Sequence, residues 1–340
     1  MKIAILGDIH FKKCKEIETT YRKSVLEFVV SYLSGHGINT IIQLGDFFND
    51  RKSIDVNLYN QVIEDYNYYF ASFIDKFYCL TGNHDTYFTN TNKVNSLKHL
   101  QDVLSNFHVI SYPCEIPKIG LAVPWLNSEN AEEFEKIVSE SSHKYCFGHF
   151  EINSFNMVKG FEETNGLSQS IFKNFEKVFS GHFHLTQDKN NISYVGSLFQ
   201  NDRNDLNDIK RFMILDTESG NVEEIKIPIE LFKRVVIQSE GDLDSIIIKD
   251  YKECITDFVF NIEKSVKREK FIDSIVETLP EFNIIDNSEL CKEKVEMKVD
   301  NEEFTEIFTE YMKLNQILDN NRKVSLMNLF KDVYEEIITV

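Results

Sequence analysis

Through about residue 220, short apolar runs alternate with segments whose apolar residues recur at helical spacing, the pattern of an α/β architecture. The runs predict strands at 2–6, 40–44, 77–80, 108–112, 121–124, 144–147, 177–179, 192–195 and 211–215. Between them, 20–33, 56–73 and 129–139 read as amphipathic helices. In the first of these, Val25, Leu26, Val29, Val30 and Leu33 fall on one face. The polar tract 201–208 reads as an exposed loop, and a turn at 216–221 separates two strands. From Phe232 the pattern becomes a smaller α+β unit, with strands at 235–238 and 257–262 and a helix at 269–278. Two helices, 302–316 and 324–337, close the chain. These shifts divide it into 1–230, 231–299 and 300–340.

Five of the apolar runs end in a glycine followed at once by a metal-binding type of side chain. The pairs are Gly7-Asp8, Gly45-Asp46, Gly82-Asn83, Gly148-His149 and Gly181-His182, and two of them extend to His10 and His184. The chain has only 13 glycines, so this placement is not a by-product of a glycine-rich sequence. Taken singly, each pair has an ordinary explanation, because Gly-Asp is a common turn and most histidines are hydrogen-bonded packing residues. His36, His99, His108 and His143 lack the context and are read that way. The ordered co-occurrence is what carries the signal. Parallel α/β sheets bind ligands beyond the carboxyl ends of their strands, so Asp8, His10, Asp46, Asn83, His149, His182 and His184 are expected to converge.

Carboxylate, imidazole and amide oxygen without thiolate suit manganese, iron, zinc or cobalt better than calcium. Seven protein ligands are too many for one ion with an open position. They suit two ions that share Asp46, with water completing each shell. Two ions about 3.5–4 Å apart clamp the attacking and leaving oxygens of a phosphoryl transfer and bring the pKa of water near neutrality.

The 340 residues are 42% hydrophobic and 27% charged, as in a folded soluble protein, and no stretch reaches the length of a membrane span. A strand starting at Lys2 predicts no cleaved leader. Six cysteines without a CxxC pair point to reduced thiols and a cytoplasmic setting. The net charge of −18 argues against tight, unaided binding to a polyanion. Residues 1–220 hold 21 basic and 28 acidic side chains and residues 221–340 hold 16 and 27, so the acidity is concentrated in the later part. Divalent cations would offset part of the earlier excess.

The ordered set Asp8-x-His10, Gly45-Asp46, Gly82-Asn83-His84-Asp85, Gly148-His149 and Gly181-His182-x-His184 resembles the calcineurin-type metallophosphoesterase superfamily. That likeness implies a two-sheet β-sandwich flanked by helices. It implies one metal on Asp8, His10, Asp46 and His184, and a second on Asp46, Asn83, His149 and His182. It also implies that His84 contacts the scissile phosphate and that Asp85 orients it. The physical logic agrees, since a cationic imidazole at the leaving oxygen stabilises charge or gives up a proton. Within the superfamily the chain resembles SbcD-type double-strand-break nucleases, their T-even phage branch most of all. The matching elements are Gly45-Asp46-Phe47-Phe48 running into Arg51-Lys52, Pro124-Trp125, Gly148-His149-Phe150-Glu151, Ser180-Gly181-His182, Tyr194-Val195-Gly196-Ser197 and Arg211-Phe212. Many relatives carry an acid where Asn49 stands, which puts tuning around the site in question, not metal binding. Protein phosphatases have Arg-Gly after that acid and GNHE later, unlike Asn49-Asp50-Arg51-Lys52 and GNHD here.

The resemblance implies a DNA nuclease, 3′→5′ on duplex ends and endonucleolytic on single strands. It would use two manganese ions, with magnesium the alternative. Residues 231–299 would cap the site and help place DNA. The C-terminal helices would dock on an SbcC-type coiled-coil ATPase, in a homodimer within a heterotetramer. Their apolar faces include Phe304 and Phe308 on one helix and Leu326, Leu329, Phe330 and Val333 on the other. Such stripes are more often core, but their terminal position and aromatic breadth make them a candidate partner surface. Two rivals remain at this point: a small-substrate phosphodiesterase or phosphatase, and a non-catalytic scaffold for an ATPase.

Overall fold

The computed structural model describes residues 1–288. The expected C-terminal helices, with Phe304, Phe308, Leu326, Leu329, Phe330 and Val333, lie outside the described residues. In chain order the first strands are β1 (Lys2–Leu6), β2 (Thr40–Gln43), β3 (Lys76–Leu80), β4 (Phe107–Ile110), β5 (Cys114–Ile116), β6 (Gly120–Val123) and β7 (Tyr145–His149). A hairpin of β8 (Asn156–Val158) and β9 (Phe161–Glu162) follows. Then come β10 (Lys177–Gly181), β11 (Gln187–Lys189), β12 (Ile192–Tyr194), β13 (Arg211–Asp216) and β14 (Val222–Lys226). They form two six-stranded sheets, ordered β14-β13-β1-β2-β3-β4 and β11-β12-β10-β7-β6-β5. The inner strands of each are parallel. The antiparallel additions are β13 and β14 in the first sheet, and β5 and β11 at the edges of the second.

Alternation within each strand explains the layers. In β1, Ile3 and Ile5 join Ile42, Leu80, Phe147, Phe179 and Leu215 in the core between the sheets. Ala4 and Leu6 point the other way, into a core shared with α1 (Glu16–Gly35) and α2 (Val56–Tyr69). Strands buried on both faces therefore appear in the sequence as unbroken apolar runs. A third core covers the outer face of the second sheet, where Phe134 and Val138 meet Cys146, Val178 and Tyr194. A short α3 (Leu100–Val103) precedes β4, and Phe134 and Val138 belong to α4 (Ala131–Glu140). Each large apolar side chain buried this way contributes about 1.5–3 kcal/mol. The Asp55 carboxylate sets where α2 begins, accepting from the amides of Asn57 and Leu58 at 2.9 and 3.1 Å.

The remaining strands, β15 (Phe232–Ile237), β16 (Ile255–Phe260) and β17 (Phe282–Asp286), form a parallel three-stranded sheet. A short α5 (Asp242–Ser245) precedes β16, and α6 (Val266–Thr278) lays Phe271 and Ile275 against Phe258 and Phe260. Met1–Asn287 constitute one compact unit, so this sheet belongs with the two-layer body. The tract 201–208, expected as an exposed loop, is partly inside. Asp205, Leu206 and Asp208 are buried because the buried Lys210 ammonium lies 2.6 Å from an oxygen of each aspartate.

Candidate metal centre

Each expected ligand sits just past, or at, the carboxyl end of a parallel strand. Asp8 and His10 follow β1, Asp46 follows β2, Asn83 follows β3, His149 ends β7, and His182 and His184 follow β10. The strand ends of the two sheets meet, and all seven side chains are brought together. His10 Nε2 and His184 Nε2 approach to 2.9 Å, and both lie within 4 Å of Asp8 Oδ2, at 3.9 and 3.8 Å. Beside them, Asn83 Oδ1 is 2.9 Å from His149 Nε2 and 3.0 Å from His182 Nδ1. The Asp46 carboxylate stands between the two sets: its Oδ2 is 3.7 Å from His10 Nε2 and 3.4 Å from His149 Nε2. The groupings Asp8–His10–His184 and Asp46–His149–His182 each have the proximity to hold a cation.

The backbone is bent to achieve this. His10, Asp46 and His182 all adopt positive φ, at 50, 54 and 87°. That region costs non-glycine residues about 1–3 kcal/mol each and is tolerated where surrounding structure enforces it. Here the enforcement is visible: the Asp46 carbonyl accepts from the amides of Ile9 and His10 at 3.1 and 2.9 Å, locking one ligand turn onto the next. Two glycines are required by close approach. At Gly82 a Cβ would collide with the Asp46 amide and Oδ1, and at Gly45, φ 106°, it would press on the His149 ring.

The donor set fits divalent cations. The Leu44 carbonyl can only accept, so His149 Nδ1, 2.8 Å away, carries its proton and leaves Nε2 facing Asp46 and Asn83. Lone pairs therefore converge in a buried place. Burial, with the Asp46 carboxylate adding to it, pushes the Asp8 carboxyl up to about 8. Burial opposes a charge on His149, but the Asp46 carboxylate outweighs it and raises this imidazole to about 9. Burial, reinforced by the neighbouring His149 cation, lowers His182 to about 3. In the absence of metal the pocket thus collects protons between Asp46 and its neighbours, where a cation would provide the missing positive charge.

His84 and Asp85 divide differently from the expected pairing. The His84 amide donates to Asp46 Oδ1 at 2.8 Å, and its Nδ1 donates to the Asn49 carbonyl at 2.6 Å. Asp85 points away into the turn, where it accepts from the amides of Gly82, Phe47 and Phe48 at 2.9, 3.2 and 3.0 Å. It organises the loops that present Asp46 and His84 instead of orienting the imidazole itself. Asn49 acts through its carbonyl, so an acid at that position could make the same contact. Several supporting residues escape a sequence reading. The Gln43 amide donates to the Gly7 and Gly45 carbonyls, Arg51 Nε holds the Asn83 carbonyl at 2.8 Å, and Lys210 and Arg22 grip two ligand turns. Arg22 left a local trace, as a charge on the apolar stripe of Val25, Leu26 and Val29, and Arg51 another, as part of the run that begins at Gly45. The Trp125 ring lies 5.8 and 5.1 Å from those of His149 and His182 and walls that side of the site.

This fold and this cluster define a class. The chain belongs to the calcineurin-like phosphoesterase family, whose model matches residues 1–186, and it is a metal-dependent phosphoester hydrolase. Over 347 aligned positions it is 27% identical to Exonuclease subunit 1 of Enterobacteria phage T4, with 99% of each chain covered. Both findings bear out the resemblance carried by the motifs. A solved archaeal phosphodiesterase aligns with 67% of this chain and 100% of its own, at 15% identity and a TM-score of 0.34, too loose a match to bear on function. Among the described residues, no helix is long and apolar enough to cross a membrane.

Proposed function

We propose that the chain is the catalytic subunit of an SbcCD-type recombination and break-repair complex, a nuclease that degrades duplex DNA ends 3′→5′ and cuts single strands internally. The observation that carries this reading is the pair of Asp/His sets meeting at Asp46, combined with end-to-end similarity to an exonuclease subunit. Asp8, His10, Asp46 and His184 would hold one cation, and Asp46, Asn83, His149 and His182 the other. Manganese suits this mixture of imidazole, carboxylate and amide, with magnesium as the alternative. When bound, such a pair supplies a water acidic enough to attack at neutral pH and neutralises charge on the phosphate.

The remaining work falls to the chain itself. His84 has its Nδ1–H committed to the Asn49 carbonyl, so its Nε2 is the free edge. From there it assists departure of the sugar oxygen, and the product leaves with a 5′-phosphate. Trp125 and the buried Phe183 both pack against the His182 ring, so that side of the metal set is apolar. Residues 231–299 would guide DNA over the site. Helices in 300–340, outside the described residues, would dock on a coiled-coil ATPase, the whole forming a homodimer within a heterotetramer. The relative's designation as a subunit supports a partner. The net charge of −18 supports it too, because a protein this acidic gains from a partner that supplies basic surface. Five free cysteines among the described residues support a reducing, cytoplasmic setting.

The test is digestion of end-labelled duplex DNA in manganese and in magnesium, with and without a co-expressed ATPase, beside bis-p-nitrophenyl phosphate and cyclic nucleotides. Manganese-dependent shortening from the 3′ end is expected, and His84→Ser should reduce it about 10²- to 10⁴-fold with metal content unchanged. Hydrolysis of the small esters with DNA left intact would replace the nuclease reading by that of a small-substrate phosphodiesterase. Metal-loaded protein inert on every substrate would leave a scaffold.

A further inference from the structure

Two buried cations serve one half of the metal centre. Arg22, on α1, donates through Nη1 to the Ile9 carbonyl at 3.1 Å, the residue between Asp8 and His10. Lys210, the residue before β13, donates through Nζ to the His184 carbonyl at 3.0 Å. Every ligand turn of the Asp8–His10–His184 set is therefore held by a charge from outside the set. In the other half His149 is tied to the Leu44 carbonyl, and the cation on the Asn83 carbonyl, Arg51, is only half-buried.

The two cations meet in the 200–208 loop. Arg22 Nη2 donates to Asn201 Oδ1 at 2.7 Å, and Lys210 Nζ to Asp205 Oδ1 and Asp208 Oδ2, both at 2.6 Å. The loop closes on itself, since the Asn201 amide donates to Asp205 Oδ2 at 2.6 Å. It is also tied to the third sheet. Gln200 Oε1 accepts from the amides of Leu231 and Phe232 at 2.7 and 3.0 Å, and Arg203 pairs with Asp257 of β16, which also receives Arg234 at 3.0 Å. The third sheet is thus connected through bonded groups to His184 and to the Asp8–His10 turn. Outer contacts of this kind set ligand orientation and affinity.

We propose that Arg22 and Lys210 are positioning residues for the Asp8–His10–His184 ion alone, and that the 200–208 loop couples that ion's affinity to the third sheet through Asp257. This rests on the two-ion reading of the site. The third sheet then adjusts one ion while the other stays fixed to the strands, giving substrate or partner contacts there a route to the chemistry.

The experiment is manganese titration of the full chain by calorimetry, with electron paramagnetic resonance to distinguish coupled from isolated ions. Wild type should take up two. Lys210→Met should weaken one of them about 10- to 100-fold, with Lys210→Arg recovering most of the loss. Asn201→Ala and Asp257→Asn, which leave every ligand and both buried cations in place, should weaken the same ion by about threefold or more. Double substitutions identify it. Adding Asn201→Ala to His149→Ala should weaken the remaining ion, whereas adding it to His184→Ala should change nothing. Should Lys210→Met fail to fold, the half-buried Asn201 carries the test. Variants that weaken both ions equally, or neither, overturn this proposal alone. Wild type holding fewer than two ions overturns the two-metal reading and this proposal with it.

Discussion

The Asp8–His10–His184 set and the Asn83–His149–His182 set reach the same Asp46 carboxylate, yet they are anchored by different means. His149 ends β7 with no exposed surface, its ring tied to the Leu44 carbonyl and so near Gly45 that a side chain there would collide with it. His184 stands three residues past the end of its strand, its side chain is 33% exposed, and its carbonyl is gripped by a lysine belonging to a polar loop. His149 is therefore held by the sheets, whereas the placement of His184 depends on tertiary contacts that can open separately from them. The difference shows how a dinuclear site can be rigid for chemistry and adjustable for control.

The severest way to break the comparison is to remove what the halves share. Asp46→Ala deletes the carboxylate whose Oδ2 faces the Nε2 atoms of both His10 and His149, and it also frees the His84 amide. Both ions should be lost and hydrolysis should fall below detection, as read by metal analysis of dialysed protein and a DNA digestion assay. Retention of either ion at wild-type affinity would show that the halves are independent sites.

What was legible in the sequence follows the same division. Asp8, Asp46, Asn83, His149 and His182 could be read because each lies next to a glycine at the end of an apolar run, a signal contained in a few neighbouring residues. The parallel inner strands were legible for the same reason, whereas β5 and β11, three residues each at sheet edges, are too short for any periodicity to show. Lys210 and the burial of Asp205 and Asp208 were not legible, because a polar tract looks alike whether its charges face water or one another. The resemblance had placed Asp85 on His84, but its carboxylate serves the backbone of another loop, accepting from the Phe47 and Phe48 amides. Capping by the third sheet and docking by the last helices rest on resemblance and remain proposals.

A milder substitution separates the halves. Gly45→Ala places a methyl 2.5 Å from His149 Nδ1 in a backbone conformation that disfavours a side chain, at φ 106°. Overpacking of this kind costs about 1–3 kcal/mol. The protein should unfold at lower denaturant and bind the His149–His182 ion more weakly, with the His10–His184 ion near its wild-type affinity. Equal weakening of the two ions, measured in the same manganese titration, would mean that strand-borne and loop-borne ligands move as one.

The smallest effect is expected at the tie between the loop and the third sheet, and pH brings it out. Burial works against a charged Asp257, but Asn283, Arg234 and Arg203 outweigh it and hold this carboxyl below its ordinary value of 3.8. A group whose folded pKa is depressed contributes stability above its unfolded pKa and loses it as pH falls through the folded one. Because both arginines are nearly half exposed, the contribution is at most about 1 kcal/mol. Asp257→Asn should therefore be slightly less stable than wild type at pH 7, and the gap should close below pH 3.8 as the wild-type carboxyl takes up its proton. Urea unfolding of the two proteins across that range is the measurement. A gap unchanged at low pH would mean that shape, not charge, joins the third sheet to the loop, and the adjustable half of the metal centre would then lack an electrostatic handle.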